Sequence, residues 1–115
     1  MTEFLPGLAL ALEYAGGTHT LEDVAEMVKA GRAQVWTAEN ACIVTEVQDF
    51  PRKRVLHFWL ATGDLGLVIA LSRDVLDWGK SIGCASATLS GRRGWEKVLA
   101  SEGWSPMLYT MGREV

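Results

Sequence analysis

The apolar residues of the first thirty positions recur at helical spacing in two stripes. The first stripe consists of Leu5, Leu8, Leu12 and Ala15. The second stripe consists of Leu21, Val24 and Val28. Thr20 stands three residues before Asp23, as in a capping box, and Gly16 and Gly31 follow the two stripes. We therefore expect two short helices, over 5–15 and after Thr20, with His19 facing solvent between them.

From residue 33 onward the apolar period changes to two. Residues 34–36 and 41–47, separated by a turn at 38–40, predict a hairpin whose alternate side chains face opposite sides of a sheet. One face of the second strand carries Ala41, Ile43, Thr45 and Val47, and the other carries Cys42, Val44 and Glu46. The run 55–61 is apolar apart from His57, which is typical of a central strand buried on both faces. These three strands predict an antiparallel meander.

The longest predicted helix follows Thr62-Gly63-Asp64. Its apolar stripe consists of Val68, Leu71, Val75, Trp78 and Ile82, and Gly83 suits the position after its last turn. A strand over 84–89, a glycine-basic turn, a short helix from Trp95 and a last strand over 107–111 complete the pattern. We therefore predict one α/β (α+β) domain over residues 1–115. The expected order is α-α-β-β-β-α-β-α-β, with a mixed, mainly antiparallel sheet flanked by helices.

Composition and charge indicate which classes of molecule the protein is expected to bind. The chain has 115 residues, of which 49% are hydrophobic, a content that supports one packed core. Its net charge of −3 creates no field that attracts nucleic acid, so we do not expect a nucleic-acid partner. No apolar run is long enough to cross a bilayer, and the opening residues lack the basic segment of a secretion signal. We expect a cytoplasmic protein without a membrane partner.

The two cysteines do not form a recognisable ligand or redox motif. Cys42 and Cys84 lie in apolar contexts without C-x-x-C spacing, and neither stands at ligand spacing from His19 or His57. We expect buried free thiols in a reducing compartment and no metal site.

Three segments carry a resemblance to a known family. The element order, the strand VLHFWLATG before the long helix, and GRRGWEKVLASEGW resemble the GNAT superfamily of acyl-CoA-dependent N-acyltransferases. More narrowly, YAGGTHTLEDV, PRKR and GRRGWEKVL look like segments of small GNAT-like proteins that tailed phages and prophages encode. The resemblance spans most of the chain. It implies a GNAT-like fold, acetyl-CoA as acyl donor, an unidentified amine as acceptor, and a location in the host cytoplasm or with the virion.

The resemblance also implies a place for the cofactor. In the family its pyrophosphate lies on backbone N–H groups at the start of the long helix. The matching residues are Thr62, Gly63, Asp64, Leu65 and Gly66. The family's basic-x-x-Gly-x-Gly pattern is absent, and the Asp64 carboxylate is suited to cap the helix, where it would repel phosphate.

A basic surface is the second candidate for cofactor contact. Arg92 and Arg93, together with Arg52, Lys53 and Arg54, are candidates for one patch that holds the 3′-phosphate, nucleic acid or an acidic partner protein. Solvated turns account for these residues equally well.

Acyl transfer needs a base for the amine and a proton donor for the leaving thiolate. In the expected topology His57 and Glu46 fall on strands that face the acceptor cleft, so either is a candidate base. In the family the donor is often a tyrosine of the late helix, where this chain has Trp95, which leaves Tyr109 of the predicted last strand as the candidate. A satisfied core histidine and a packed tyrosine are the alternative interpretations.

Two functions from different classes follow. One is a small N-acetyltransferase that uses acetyl-CoA. The other is a non-catalytic phage protein that acts in virion structure, assembly or host control through a protein partner or a second copy of itself, with Trp36 and Trp104 as candidate interface residues.

Overall fold

Four strands form one mixed sheet in the order β1-β2-β3-β4. A computed structural model describes residues 2–91 and 93–115 of the chain. Its strands are β1 (Gln34–Ala38), β2 (Ala41–Asp49), β3 (Arg54–Gly63) and β4 (Cys84–Leu89). The first three strands pair antiparallel, and β4 pairs parallel to β3. The predicted meander is confirmed, with each of its strands longer than predicted.

The helices cover both faces of this sheet. They are α1 (Leu5–Tyr14), α2 (Leu21–Lys29), α3 (Leu65–Ser81) and α4 (Trp95–Leu99), and a 3-10 turn (Ala100–Glu102) continues α4. The core side chains of α1 and α2 pack on one face of the sheet, and those of α3 pack on the other. The 2.8 Å ion pair between Arg73 and Glu102 holds the end of the α4 segment beside α3. No helix in the described ranges is long and apolar enough to cross a membrane.

The alternation along β2 divides the core into two clusters. Cys42 and Val44 belong to the cluster beneath α1 and α2, whereas Ala41 and Ile43 belong to the cluster beneath α3. All four side chains are essentially inaccessible to solvent. The predicted assignment of β2 side chains to two opposite faces is confirmed, and burial on both faces explains why the centre of this strand reads as a continuous apolar run.

The start of α2 is fixed by its own side chains. Asp23 N–H donates to Thr20 Oγ1 at 3.2 Å, and Thr20 N–H donates to the Asp23 carboxylate at 2.8 Å. The capping box is therefore present as predicted, with aspartate in place of the usual glutamate. The Thr20 N–H, and beside it the Thr20 hydroxyl, hold the pKa of the Asp23 carboxylate below its ordinary value.

The predicted last strand is wrong. Residues 104–115 form neither helix nor strand. The side chains of Met107, Leu108, Tyr109 and Met111 are at least 68% exposed. The apolar pattern of this segment favours a strand, but its backbone pairs with none of the four strands and its side chains are exposed, so no sheet contact stabilises an extended ladder. The element order in the described residues is therefore α-α-β-β-β-α-β-α.

Gly63 ends β3 in a conformation that side chains rarely adopt. Its φ is +121°, and a Cβ placed there would overlap the carbonyl oxygen of Asn40 at the β1–β2 turn. The adjacent Asp64 N–H donates to that same oxygen at 2.8 Å. Only glycine permits this close approach, and the group that Gly63 approaches is the backbone of the protein's own β1–β2 hairpin. The contact sets the direction in which the chain enters α3.

We predict opposite effects of alanine at the two glycines of this turn. Gly63→Ala forces a strained φ and a backbone overlap, so it should lower the free energy of unfolding by about 2 kcal/mol or more. Gly66→Ala lies within α3, where a new Cβ meets only the Asp64 carboxylate at an ordinary 3.4 Å. It should be neutral or stabilising by up to about 1 kcal/mol. Urea unfolding of both variants measures this, and equal effects would contradict the account.

Candidate functional site

The strands β3 and β4 separate halfway along β3. Their pairing runs from Arg54 opposite Cys84 to Phe58 opposite Leu89, whereas β3 itself continues to Gly63. Residues 60–63 therefore pair with β2 on one side and have no strand partner on the other side within the described chain. The two strands open into a V-shaped cleft whose inner edge is exposed β3 backbone.

A bulge at Trp59 accompanies the separation. Val44 lies opposite Leu60 and Thr45 lies opposite Phe58, so Trp59 has no partner on β2. The extra residue puts Trp59 and Leu60 on the same face, and both pack against the α1 and α2 cluster. A β-bulge bends a strand and redirects its side chains, and here it turns the end of β3 away from β4.

One cavity of about 610 Å³ occupies the cleft. Its walls on the α1 side include Ala11, His19 and Trp59, and its walls on the α3 side include Val68 and Trp104. Because the walls belong to both faces of the sheet, the cavity passes between β3 and β4 through the sheet. A cavity of this shape lets two molecules approach one another from opposite faces.

The two candidate bases lie side by side in this cavity. Glu46 on β2 and His57 on β3 are register partners and both line the cavity. Register partners in an antiparallel pair have Cβ atoms about 5 Å apart on the same face of the sheet. Both residues are half-buried.

The environment of His57 favours its neutral form. Burial lowers the pKa of His57 below its ordinary value of 6.5, and the negative charge of Glu46 opposes this shift in part. His57 Nδ1 lies 2.8 Å from Thr88 Oγ1 on β4, a hydrogen bond that fixes the ring. In the tautomer in which Nδ1–H donates to Thr88, the other ring nitrogen is free to accept a proton near neutral pH.

The start of α3 is capped by a carboxylate. Leu67 N–H donates to Asp64 Oδ1 at 3.1 Å, and Val68 N–H donates to the Asp64 carbonyl oxygen at 2.8 Å. The capping predicted for Asp64 is therefore present. It leaves Leu65 and Gly66 to offer N–H groups to an anion and places a negative charge beside them.

Other predicted cofactor and donor residues lie away from the cavity or outside the described chain. Arg92 falls outside the described residues. Arg93 lies over the ring of Tyr109, 5.4 Å from its centroid, and the described cavity wall includes neither of them. Thr62 packs against Gly7 of α1. Tyr109 is 68% exposed and is not on a strand, so the structure does not bring it to the two candidate bases.

Two of the candidates for a shared basic patch, Arg54 and Arg93, lie far apart in the structure. Arg54 begins β3 beside the start of β4, whereas Arg93 follows the opposite end of β4. Arg54 also forms a 2.6 Å ion pair with Asp49 and donates to the Ile82 carbonyl oxygen at 2.8 Å. A strand of six residues spans about 20 Å, so these arginines cannot contact the same phosphate.

The solvent exposure of His19 and of two tryptophans also differs from the expected one. His19 was expected to face solvent, but it is half-buried and packs edge-on against Trp59, with ring centroids 4.8 Å apart. Trp36 and Trp104, the candidate interface residues, are half-buried and pack against Trp78 and Phe58 respectively. Both indole rings therefore pack against aromatic side chains of the same protein. Neither tryptophan is now the main reason to expect a binding surface.

Sequence reasoning missed Trp59 and Thr88. Trp59 stands two positions after His57, so the period of a strand signals that the two share a face. The bulge that brings Leu60 onto the same face has no sequence signal of its own. Thr88 becomes a partner of His57 only through the parallel pairing of β3 with β4, a contact 31 residues apart.

The cysteines remain reduced thiols. Cys42 is fully buried and Cys84 is half-buried, and burial raises the pKa of both. In the ranges that the structure describes, no group of three histidine, cysteine, aspartate or glutamate side chains is placed to hold a metal ion.

Solved acetyltransferases share this fold. An acetyltransferase from Trypanosoma brucei superposes with a TM-score of 0.68 at 17% identity, covering 100% of this chain and 95% of the other. Glucosamine-6-phosphate N-acetyltransferase from Arabidopsis thaliana gives 0.66 at 17% identity, covering 94% and 88%. An aminoglycoside acetyltransferase from an uncultured soil metagenomic sample, solved with sisomicin, gives 0.68 at 7% identity, covering 99% and 89%.

The chain has the GNAT acetyltransferase fold. The predicted single α+β domain type is therefore confirmed. No protein-family model matches the sequence, and no curated protein matches it either. Likeness at these identities establishes the fold and leaves the activity to be argued from the site.

We predict that His57 makes folding stability depend on pH. Its lowered pKa means that the unfolded chain binds more protons below pH 6.5, so the free energy of unfolding should fall as the pH drops from about 7.5 to 5.5. Removing the imidazole in His57→Gln, which retains a hydrogen-bonding partner for Thr88, should flatten this dependence. Urea unfolding across the range measures the effect, and parallel curves for the two proteins would contradict it.

Proposed function

We propose that the protein is a small N-acetyltransferase that transfers an acetyl group from acetyl-CoA to an amine. The observation that carries the proposal is the cavity through the sheet, with His57 and Glu46 adjacent on its α1 side. A thioester that enters from one side and an amine that enters from the other would meet between β3 and β4. The fold of the solved acetyltransferases is consistent with this use of the cleft.

The residues of the cleft are better suited to bind the pantetheine arm of acetyl-CoA, which carries the thioester, than to bind its phosphates. The backbone of residues 60–63 lacks a strand partner on its β4 side and would pair with the amide groups of the pantetheine arm. The N–H groups of Leu65 and Gly66 would hold the pyrophosphate. Asp64 opposes that contact, because its carboxylate already accepts from Leu67 N–H. We therefore expect weak binding of acetyl-CoA by the native protein.

In the proposed reaction His57 is the general base. The ammonium form of the amine first loses one proton to water. The nitrogen of the neutral amine then bonds to the thioester carbonyl carbon, the carbon–sulfur bond breaks, and the second proton lost by the nitrogen passes to the free ring nitrogen of His57. Thr88 holds the ring in place at Nδ1, and the Glu46 charge stabilises the imidazolium that forms. The departing thiolate takes a proton from water, and His57 returns its own proton to solvent.

We expect Asp64 to limit acetyl-CoA affinity. Asp64→Gly removes the negative charge and frees Leu67 N–H, so it should bind acetyl-CoA about 3- to 10-fold more tightly. Asp64→Asn removes only the charge and should give a smaller gain. Asp74→Asn, on the exposed surface of α3, makes the same change in net charge and is the matched control. Calorimetric titration measures all four proteins.

The same titration decides whether acetyl-CoA is a ligand at all. Saturable binding that tightens in the order Asp74→Asn, Asp64→Asn, Asp64→Gly supports the proposal. Absence of binding at millimolar acetyl-CoA in the native protein and in Asp64→Gly would refute it.

We predict that acetyl transfer depends on His57. His57→Gln should lower the rate constant for release of free thiol from acetyl-CoA by about 100-fold or more in the presence of a saturating amine. Glu39→Gln, in the exposed β1–β2 turn, should retain the native rate. An unchanged rate in His57→Gln would show that another group accepts the proton.

A second candidate function is a non-catalytic role in protein contacts. One observation favours it: the apolar side chains of residues 107–111 are largely exposed at the end of the chain. Phage or prophage origin and association with a virion are part of this proposal and are supported by the sequence resemblance alone. A protein that binds no acetyl-CoA but elutes as a dimer or in complex with a virion protein would favour this candidate.

A further inference from the structure

We propose that the α1 side of the cavity binds an organic monocation, an alkyl- or arylalkylammonium ion that carries no negative charge. Turnover of such an amine rests on the proposed acetyl transfer. Binding of the ion depends only on the charge and the aromatic groups of the cavity wall.

The wall has one charged side chain, and that charge is negative. Of the described residues that line the cavity, Glu46 is the only one with a formal charge at neutral pH, and none is lysine or arginine. The ion pairs of the described residues join Arg54 to Asp49 and Arg73 to Glu102. Glu46 therefore has no cationic partner among them. A half-buried carboxylate without a partner favours a cationic ligand.

Aromatic rings line the cavity on both sides of the sheet. The aromatic residues of its described wall are Tyr14, Phe58, Trp59, Trp95 and Trp104. Trp59 packs on the α1 side, where Glu46 lies, whereas Phe58 and Trp104 belong to the cluster beneath α3. Trp59 lies two residues after His57 and shares the face of the sheet that carries Glu46, and the His19 ring packs edge-on against it at an interplanar angle of 73°. The negative face of such a ring attracts a cation, and the ring also buries apolar ligand surface.

The cavity volume suits a ligand with an apolar body. The space of about 610 Å³ is within the range of small-molecule sites, and most of its wall is apolar. An ammonium group beside Glu46 would leave the body of the ligand against Trp59 and the opening between the strands. An amino acid or a phosphorylated amine would bring a second, negative charge into a wall without lysine or arginine, so both should bind poorly.

Four probe molecules, each with one phenyl group but with different charges, test whether the charge of the ligand or its shape determines binding. They are phenethylammonium, benzyltrimethylammonium, neutral 2-phenylethanol and anionic 3-phenylpropionate. Titration of the full-length protein without acetyl-CoA, followed by calorimetry and tryptophan fluorescence, should show saturable binding of the two cations. The alcohol should bind about tenfold or more weakly, and the anion should not bind. Equal affinity for cation and alcohol would overturn the proposal.

Variants at Glu46 test the source of the selectivity. Glu46→Gln should weaken both cations about tenfold and leave the alcohol unchanged, and Glu46→Lys should reverse the preference so that 3-phenylpropionate binds. Glu39→Gln is the control, since it removes the same charge from an exposed turn. Unchanged cation affinity in Glu46→Gln, with the protein still folded by circular dichroism, would also overturn the proposal.

The outcome separates this inference from the proposed activity. Cation binding without any binding of acetyl-CoA at millimolar concentration, in the native protein and in Asp64→Gly, would refute the acetyl transfer and leave the cation site standing. Acetylation of amino acids or phosphorylated amines in preference to phenethylamine would refute the cation site and leave the acetyl transfer standing.

Discussion

The separation of β3 from β4 is the constraint on which the rest of the site depends. Parallel pairing holds the first half of β3, and the bulge at Trp59 turns the second half away. The same bulge adds Leu60 to the face that carries His57 and Trp59, and the cavity lies in the gap between the strands. The bulge and the end of the pairing with β4 fall at adjacent residues of β3, so the course of this strand and the position of the cleft are linked.

The two ends of the cleft differ in their electrostatic character. At the Glu46 end a carboxylate stands beside a histidine that burial keeps neutral, an arrangement suited to an amine and its proton. At the start of α3 another carboxylate occupies the helix N-terminus that would otherwise attract phosphate. Both ends of the cleft therefore carry a negative charge, which is the basis for the proposed preference for cations.

Local signals predicted most of the fold. The helical stripes, the capping box of α2, the Asp64 cap and the alternation in β2 depend on neighbours a few residues apart, and each is present as predicted. The sequence also placed His57 and Glu46 on adjoining strands. The register that makes them partners, the bulge and the Thr88 hydrogen bond arise from long-range pairing, which leaves no local pattern. The predicted last strand failed for the same reason, since residues 107–111 have the pattern of a strand but no strand partner.

Hydrogen–deuterium exchange with and without acetyl-CoA tests most directly whether the cleft is an acyl-donor site. The backbone amides of residues 60–63 and of the first turn of α3 should become protected at millimolar acetyl-CoA, while the amides of β1 remain unchanged. Protection should be stronger in Asp64→Gly than in the native protein. Unchanged exchange along residues 60–67 in both proteins would contradict the account.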